Sequence, residues 1–399
     1  MSTCDFLVLG GGVIGVSIAR ELKRLYPSGR VVVIEKEEAC GRHASGRNSG
    51  VLHAGFYYTA DSLKARFTKE GNRALTEFCE QHGLPINKCG KLVVAQDETE
   101  LATMDELISR GKANGIELEP ISAEEARRIE PLVATYQRAL YSPTTSSVDP
   151  TQVLAKMQDE AVREGVEFRF STRYMGFEDA QVITDKGRMS PGYTVNAAGL
   201  YADGIARDFG FSQDYSIVPF KGIYLTSGRK PGFLRTNIYP VPNLRNPFLG
   251  VHFTVTVSGM VKIGPTAIPA FWREHYQGLD NFKLSECMEV LKNQMRLLGG
   301  STFDFAALSI EEFRKYSKNH LLGLARKMVK EMEPAQFDKW GKPGLRAQLI
   351  NTKKKCLEMD FILEGDDRSL HVLNAVSPGF TCSLPFSKFV CEQVVRNLG

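Results

Sequence analysis

An α/β fold is what this sequence predicts: a discontinuous parallel-sheet domain joined to a mixed α+β domain built on an antiparallel sheet. Three observations lead there. Between Phe6 and Glu35 the chain runs strand, glycine turn, helix, strand. Residues 215–265 alternate and are rich in β-branched and aromatic side chains, the pattern of antiparallel strands. Helical and strand periods then return late in the chain, so the parallel sheet is completed from distant pieces. The length of 399 residues suits two or three domains at roughly 100–200 residues each. The expected division is 1–80, 140–212 and 341–399 for the first domain, and 81–139 with 213–340 for the second.

Taken in order, Phe6 to Leu9 form a short apolar run, as in a buried parallel strand. Val13, Ile14, Ile18, Leu22 and Leu25 carry a helical period, which Pro27, Ser28 and Gly29 end before the apolar strand Val31 to Ile34. Residues 61–82 place Leu63, Phe67, Leu75 and Phe78 on one helical stripe, and "KLVVA" follows as a strand. A helix is expected over 97–114, and Ser122 with Glu125 makes a capping box for a short one. Asp149 reads as an N-cap with Pro150 at the first helical position. "GYTVNAAGLYAD" gives a strand ending at Ala197-Ala198-Gly199 and then a helix. Residues 283–338 are helical by period, "SLHVLNA" is a late strand, and Gly379 opens the last helix. The run Lys353-Lys354-Lys355 reads as a hairpin turn or an exposed face.

Composition excludes several classes. The chain is 43% hydrophobic and 24% charged, ordinary for a globular protein. A net charge of +4 gives no basic footprint for nucleic acid. The eight cysteines have no CxxC or Cys/His ligand spacing, so they read as reduced thiols and no metal site is expected. No apolar run approaches the ~18 residues of a membrane span, and "MSTC" leads straight into a strand without a signal-like segment. A cytoplasmic protein is the expectation, with a peripheral contact at the inner face of the membrane left open.

The first βαβ unit carries the chemistry. Gly10, Gly12 and Gly15 make GxGxxG between the first strand and the first helix. The first glycine permits the tight turn, the second a close approach to pyrophosphate, and the third helix–sheet packing. The helix start at Val13 and Ile14 presents amide N–H groups to the phosphates. Glu35, 20 residues after Gly15 and followed by Lys36, is placed to accept ribose hydroxyls. An acid there disfavours the extra phosphate of NADP and leaves NAD or FAD. The chain then spends residues 39–59, "ACGRHASGRNSGVLHAGFYYT", on a glycine- and serine-rich loop instead of another βα unit. Such a loop wraps a long extended cofactor through backbone amides, here with His43, Ser45, Asn48, Ser49 and Gly50.

At this loop the sequence resembles the D-amino-acid-oxidase-type FAD oxidoreductases. "HASGRNSGVLHAGFYY" is more specifically similar to the L-2-hydroxyglutarate dehydrogenase/oxidase family, with its HxxGxNSGVxHxGxYY pattern. "GNRALTEFCEQHGLPINKCGKLVVA", "IYPVPNLRNPFLGVHFT", "KPGLRAQL" and "NAVSPGFTCSLPFSKFV" extend the resemblance along nearly the whole chain. It departs at Lys221, where the family often has Arg, and at the lysine run 353–355. The resemblance implies a Rossmann-like FAD-binding domain, with Ala198 and Gly199 closing over FAD from below. It also implies a small hydroxy-acid substrate, oxidised to the 2-oxo acid by hydride transfer to flavin N5. A base must take the hydroxyl proton, and histidine suits that task. His53, behind the loop that lines the flavin, is the expected base, and His252 in "FLGVHFT" the second candidate. Arg346 in "GLRAQ" is the expected carboxylate clamp, with Lys221, Tyr57 and Tyr239 as further polar contacts. Pro378, Gly379, Phe380 and Thr381 should offer helix-start amides to the reduced flavin near N1/O2. His43 also sits where related dimethylglycine dehydrogenases carry a histidyl–flavin bond, although a noncovalent contact is favoured. Glycerol-3-phosphate dehydrogenase, an amine or amino-acid oxidase of the glycine/sarcosine type, and a binding-only flavoprotein stay open as alternatives. Three classes of electron acceptor stay open as expectations: a quinone, an electron-transfer protein or dioxygen.

Overall fold

The computed structural model describes residues 2–228, 232–244, 248–300 and 303–399. Its first sheet is the parallel one that the apolar strands require. Ser2–Leu9 lies at the centre, paired in parallel with Val31–Ile34 on one side and Gly187–Asn196 on the other. Glu167–Arg169 extends it beyond Val31–Ile34, and Ser369–Asn374 pairs in parallel with Gly187–Asn196. A meander, Tyr174–Glu178 and Gln181–Thr184, adds antiparallel strands at one edge. The helices Val13–Leu25, Pro150–Arg163 and Gly379–Asn397 share one apolar core with the strands, through Val16, Ile18, Leu22, Met157, Phe386 and Val390.

Local chemistry matches the elements. Ser122 and Glu125 form the reciprocal capping box of Ala123–Ile129, and Asp149 caps Pro150–Arg163. Ser62 caps Leu63–Gln81 by accepting the Ala65 N–H. Over 283–338 the helices are Leu284–Leu298, Phe305–Arg314 and Lys318–Arg326, and the chain ends that stretch in a strand, Phe337–Trp340. The lysine run is the turn between Gly344–Asn351 and Cys356–Leu357. All eight cysteines are free thiols.

The second sheet orders its strands Phe337–Trp340, Leu225–Ser227, Val261–Gly264, His252–Val255, Asn237–Pro240, Lys91–Val94, Arg138–Ser142 and Glu119–Ser122. It is antiparallel as expected, except that Asn237–Pro240 runs parallel to Lys91–Val94. Part of the quoted stretch 238–254, residues 245–247, lies outside the described residues. Gly344–Asn351, placed by sequence in the first domain, pairs along its whole length with Tyr215–Gly222, in the range assigned to the second. The first parallel strand of the C-terminal piece is Ser369–Asn374. On Leu284–Leu298 the side chains of Leu284, Met288, Leu291, Met295 and Leu298 form an exposed stripe. Among the described residues no helix is long and apolar enough to cross a membrane.

Candidate active site

One cavity of about 1300 Å³ runs from the GxGxxG turn to the second sheet. It exceeds the ~300–1,000 Å³ of ordinary small-ligand sites, as a long cofactor plus substrate requires. At one end the first turn is tightly built. Gly10 has φ of 111°, and a β-carbon there would stand 2.7 Å from the Ala197 carbonyl oxygen. Gly15 does not line the cavity; a β-carbon on it would lie 2.0 Å from the Gly10 carbonyl oxygen, so its role is to let helix and turn meet. Glu35 accepts the N–H groups of Gly11 at 2.7 Å and Glu37 at 2.9 Å, which fixes its carboxylate on the cavity wall.

The serine-rich loop follows the same wall. Ser45 Oγ accepts the Val13 N–H at 2.9 Å, and Asn48 donates to the Ser45 carbonyl at 2.8 Å. Gly12, Val13, Ile14, Lys36, His43, Ser45, Asn48, Ser49, Ala198 and Gly199 all line the cavity, as do Pro378, Gly379, Phe380 and Thr381. Gly50 does not: its φ is 78° and its backbone packs against Val148, so it turns the chain beside this cavity without lining it. His43 has both ring nitrogens engaged, Nδ1 with Tyr276 Oη at 2.7 Å and Nε2 with Glu37 at 2.9 Å. A glycine cradle, a fixed acid and a helix start at Gly379 along one long cavity fit an extended dinucleotide, which these residues would hold.

At the second-sheet end the structure gathers His53, His252, Arg346, Tyr57 and Tyr239 on the cavity wall. The His53 backbone N–H donates to Thr381 Oγ1 at 3.2 Å, which ties its loop to the last helix. His53 Nδ1 and the Tyr57 hydroxyl are buried with no hydrogen-bond partner among the described residues. His252 pairs across the sheet from Tyr239 and stacks on it, with ring centroids 3.6 Å apart. Its Nδ1 lies 2.8 Å from the Gly250 carbonyl oxygen. Only a protonated Nδ1 can make that bond, so the neutral ring presents Nε2 as an acceptor. Burial pushes His53 well below the ordinary imidazole value, and pushes His252 down to about 3. Both rings are neutral proton acceptors at physiological pH.

Arg346 donates from Nη1 to the Thr266 carbonyl at 2.7 Å and lies over the Phe248 ring at 5.6 Å. Among the described residues no carboxylate forms an ion pair with it. A half-buried guanidinium without a counter-ion is costly, and an anionic ligand would offset that cost. Lys221 does not line the cavity. In the register Lys221 stands opposite Leu345 and Phe220 opposite Arg346, so Lys221 and Arg346 project to opposite faces of their sheet. Burial there lowers its amine to about 8. Sequence reasoning missed Lys64, a buried cation on the cavity wall in the first turn of Leu63–Gln81. Its burial lowers it to about 8. The only available signal was a lysine on the apolar stripe side of that helix.

Comparison with known proteins agrees with this geometry. The family described as "FAD dependent oxidoreductase" matches residues 5–393. L-2-hydroxyglutarate dehydrogenase of Escherichia coli (strain K12) is 34% identical over 398 residues, covering 98% of this chain and 93% of that protein. The mitochondrial L-2-hydroxyglutarate dehydrogenase of Homo sapiens is 33% identical over 420 residues, covering 98% and 89%. Among solved structures, the L-alpha-glycerophosphate oxidase of Mycoplasma pneumoniae with FAD bound superposes with a TM-score of 0.78 at 23% identity, covering 100% of this chain and 95% of that one. Glycine oxidase from Geobacillus kaustophilus gives 0.74 at 19%, covering 100% and 96%. These structural likenesses speak for the fold, and the sequence relatives for the family. The chain belongs to the L-2-hydroxyglutarate dehydrogenase family of D-amino-acid-oxidase-type FAD-dependent oxidoreductases, and FAD is its cofactor.

Proposed function

We propose that this protein oxidises L-2-hydroxyglutarate, or a closely similar L-2-hydroxy acid, to the 2-oxo acid. The observation that carries the reading is the guanidinium of Arg346, half-buried on the cavity wall with no carboxylate partner among the described residues, beside two imidazoles. When bound, FAD supplies the hydride acceptor at N5. Arg346 holds a substrate carboxylate through its free N–H groups and so orients the hydroxyl-bearing carbon. His53 takes the hydroxyl proton. It suits that role because its Nδ1 is buried without a hydrogen-bond partner among the described residues, whereas Nδ1 of His252 is committed to the Gly250 carbonyl. His252, with its tautomer fixed by Gly250, accepts a hydrogen bond at Nε2 and aligns the same hydroxyl. Lys64, on the cavity wall with no ion pair among the described residues, gives a dicarboxylate a second cation to meet. Tyr57 and Tyr239 close the apolar wall that excludes water.

The division into FAD and substrate domains is proposed on the same basis: the cavity lies between the parallel sheet and the second sheet. The setting proposed is the cytoplasm, at the inner face of the membrane. Of the three acceptor classes, the exposed stripe from Leu284 to Leu298 favours a membrane quinone. The test is a substrate panel followed by dye reduction. L-2-hydroxyglutarate should show the highest kcat/KM. Preference for glycerol 3-phosphate, or for glycine or sarcosine, would replace this reading with one of its rivals.

A further inference from the structure

Lys91 is fully buried at the edge of this site, and its Nζ has no hydrogen-bond partner among the described residues. It begins the strand Lys91–Val94 and stands opposite Asn237 in the parallel pair, on the face that also carries Val93 and Tyr239. Three aromatic faces enclose the amino group: Phe56 at 4.4 Å, Tyr57 at 4.6 Å and Tyr239 at 4.9 Å from the ring centroids. The strand order sets the strand of Tyr239 between those of Lys91 and His252. Tyr57 follows His53 on the same loop. One of the three caging rings, Tyr239, is therefore the ring stacked on His252, and the other two belong to the loop that carries His53.

We infer that Lys91 is a positioning residue for the oxidation: caged by Phe56, Tyr57 and Tyr239, it places behind His53 and His252 a positive charge that holds both imidazoles in the neutral, proton-accepting form. The inference rests on the proposed histidine base. A structural lysine needs only room for its stem and an exit for its amine. Here the amine is kept inside, where each ring face favours the ammonium. Burial opposes this and draws the amine down to about 7. The ammonium is thus present across the acid range in which a histidine base would be lost. Burial is the first cause of the lowered basicity of both histidines, and Lys91 is the strongest charge acting on either. The other titratable groups around the cage are Tyr57 and Tyr58 from the loop, Tyr239 and His252 from the adjoining strands, and Tyr224 and Arg346 beyond them. No carboxylate acts on Lys91 among the described residues.

The test is an NMR titration of FAD-loaded protein carrying ¹³C-labelled histidine, with the two signals assigned through His53→Gln and His252→Gln. In the wild type both imidazoles should be neutral at about pH 6. In Lys91→Met they should take up protons at a roughly tenfold lower proton concentration, the effect of removing one nearby buried charge. Lys91→Arg keeps the charge and should leave the titration where it was. The acid limb of kcat/KM should move in the same direction in Lys91→Met and be restored in Lys91→Arg. An unchanged titration in folded Lys91→Met overturns the inference. So does a shift in Lys91→Arg as large as in Lys91→Met, or protonated imidazoles in the wild type at about pH 6. If Lys91→Met loses FAD, Lys91→Gln takes its place and is read against the wild type and Lys91→Arg in the same way. The titration needs no turnover, so an error in the assigned substrate would show in the panel and leave this result standing.

Discussion

Replacing Arg346 with lysine should weaken dicarboxylate substrates selectively. The guanidinium already donates one Nη1 bond to the Thr266 carbonyl at 2.7 Å and rests over Phe248. Its remaining N–H groups are the only fork it can offer a carboxylate. A lysine ammonium placed there keeps the charge but cannot make two parallel bonds, and one of its donors is held by Thr266. Loss of one charge-assisted bond is worth about 1.5–3 kcal/mol, which is roughly a 10- to 150-fold fall in kcat/KM. The loss should appear mainly in KM, since the carboxylate is held in ground and transition states alike. Arg346→Met should go further. It should abolish dicarboxylate turnover yet leave the FAD-loaded protein as stable or more stable, because it removes a half-buried cation that has no counter-ion among the described residues. The assay is steady-state dye reduction with L-2-hydroxyglutarate and with a 2-hydroxy compound lacking a carboxylate, beside a thermal melt. Equal losses on both substrates, or an unchanged KM for the dicarboxylate in Arg346→Lys, would refute the clamp.

Other outcomes follow from the same geometry. His53→Ala should keep FAD and lose ~10²–10⁴-fold in kcat, the usual weight of a positioned general base; wild-type turnover with the same acid limb would pass the role to His252. Gly15→Ala should abolish FAD retention on gel filtration, because its new carbon would meet the Gly10 carbonyl oxygen at 2.0 Å, and a yellow, fully loaded variant would contradict the packing argument. The buried histidines also set an acid limit on stability. His252 at about 3 and His371 at about 4 are depressed below the ordinary value of 6.5. The unfolded chain therefore binds protons first, so stability is complete above about pH 6.5 and falls toward about pH 4, by at most ~1.4 kcal/mol per pH unit for each group. Denaturant melts between those values check this, and a flat profile counts against buried neutral rings. Acid precipitation should release the flavin to the supernatant, since both ring nitrogens of His43 are held by protein groups; flavin retained in the pellet would reveal a covalent bond.

What the sequence determined by itself is local or carried by a contiguous motif. The GxGxxG turn, Glu35, the Asp149–Pro150 helix start and the Ser122–Glu125 box depend on neighbours a few residues away, and their spacing states their geometry. The family likewise lies in one unbroken loop, residues 43 to 58, which is why FAD followed before any fold was known. Tertiary structure alone decided what depends on strand register and on which strands meet. Lys221 and Arg346 look equally promising as cations in strands. A pairing that sets Lys221 opposite Leu345 and Phe220 opposite Arg346 sends the two cations to opposite faces of their sheet. Gly344–Asn351 joins Tyr215–Gly222 because its partner strand lies more than a hundred residues earlier, beyond the reach of any local pattern. Lys91 reads as a polar residue at a strand start. Only the convergence of Phe56 and Tyr57 from one loop with Tyr239 from a neighbouring strand makes it a caged charge. A sequence records what each side chain can do, whereas burial and the sign of its neighbours, which set how it titrates, are properties of the folded contacts.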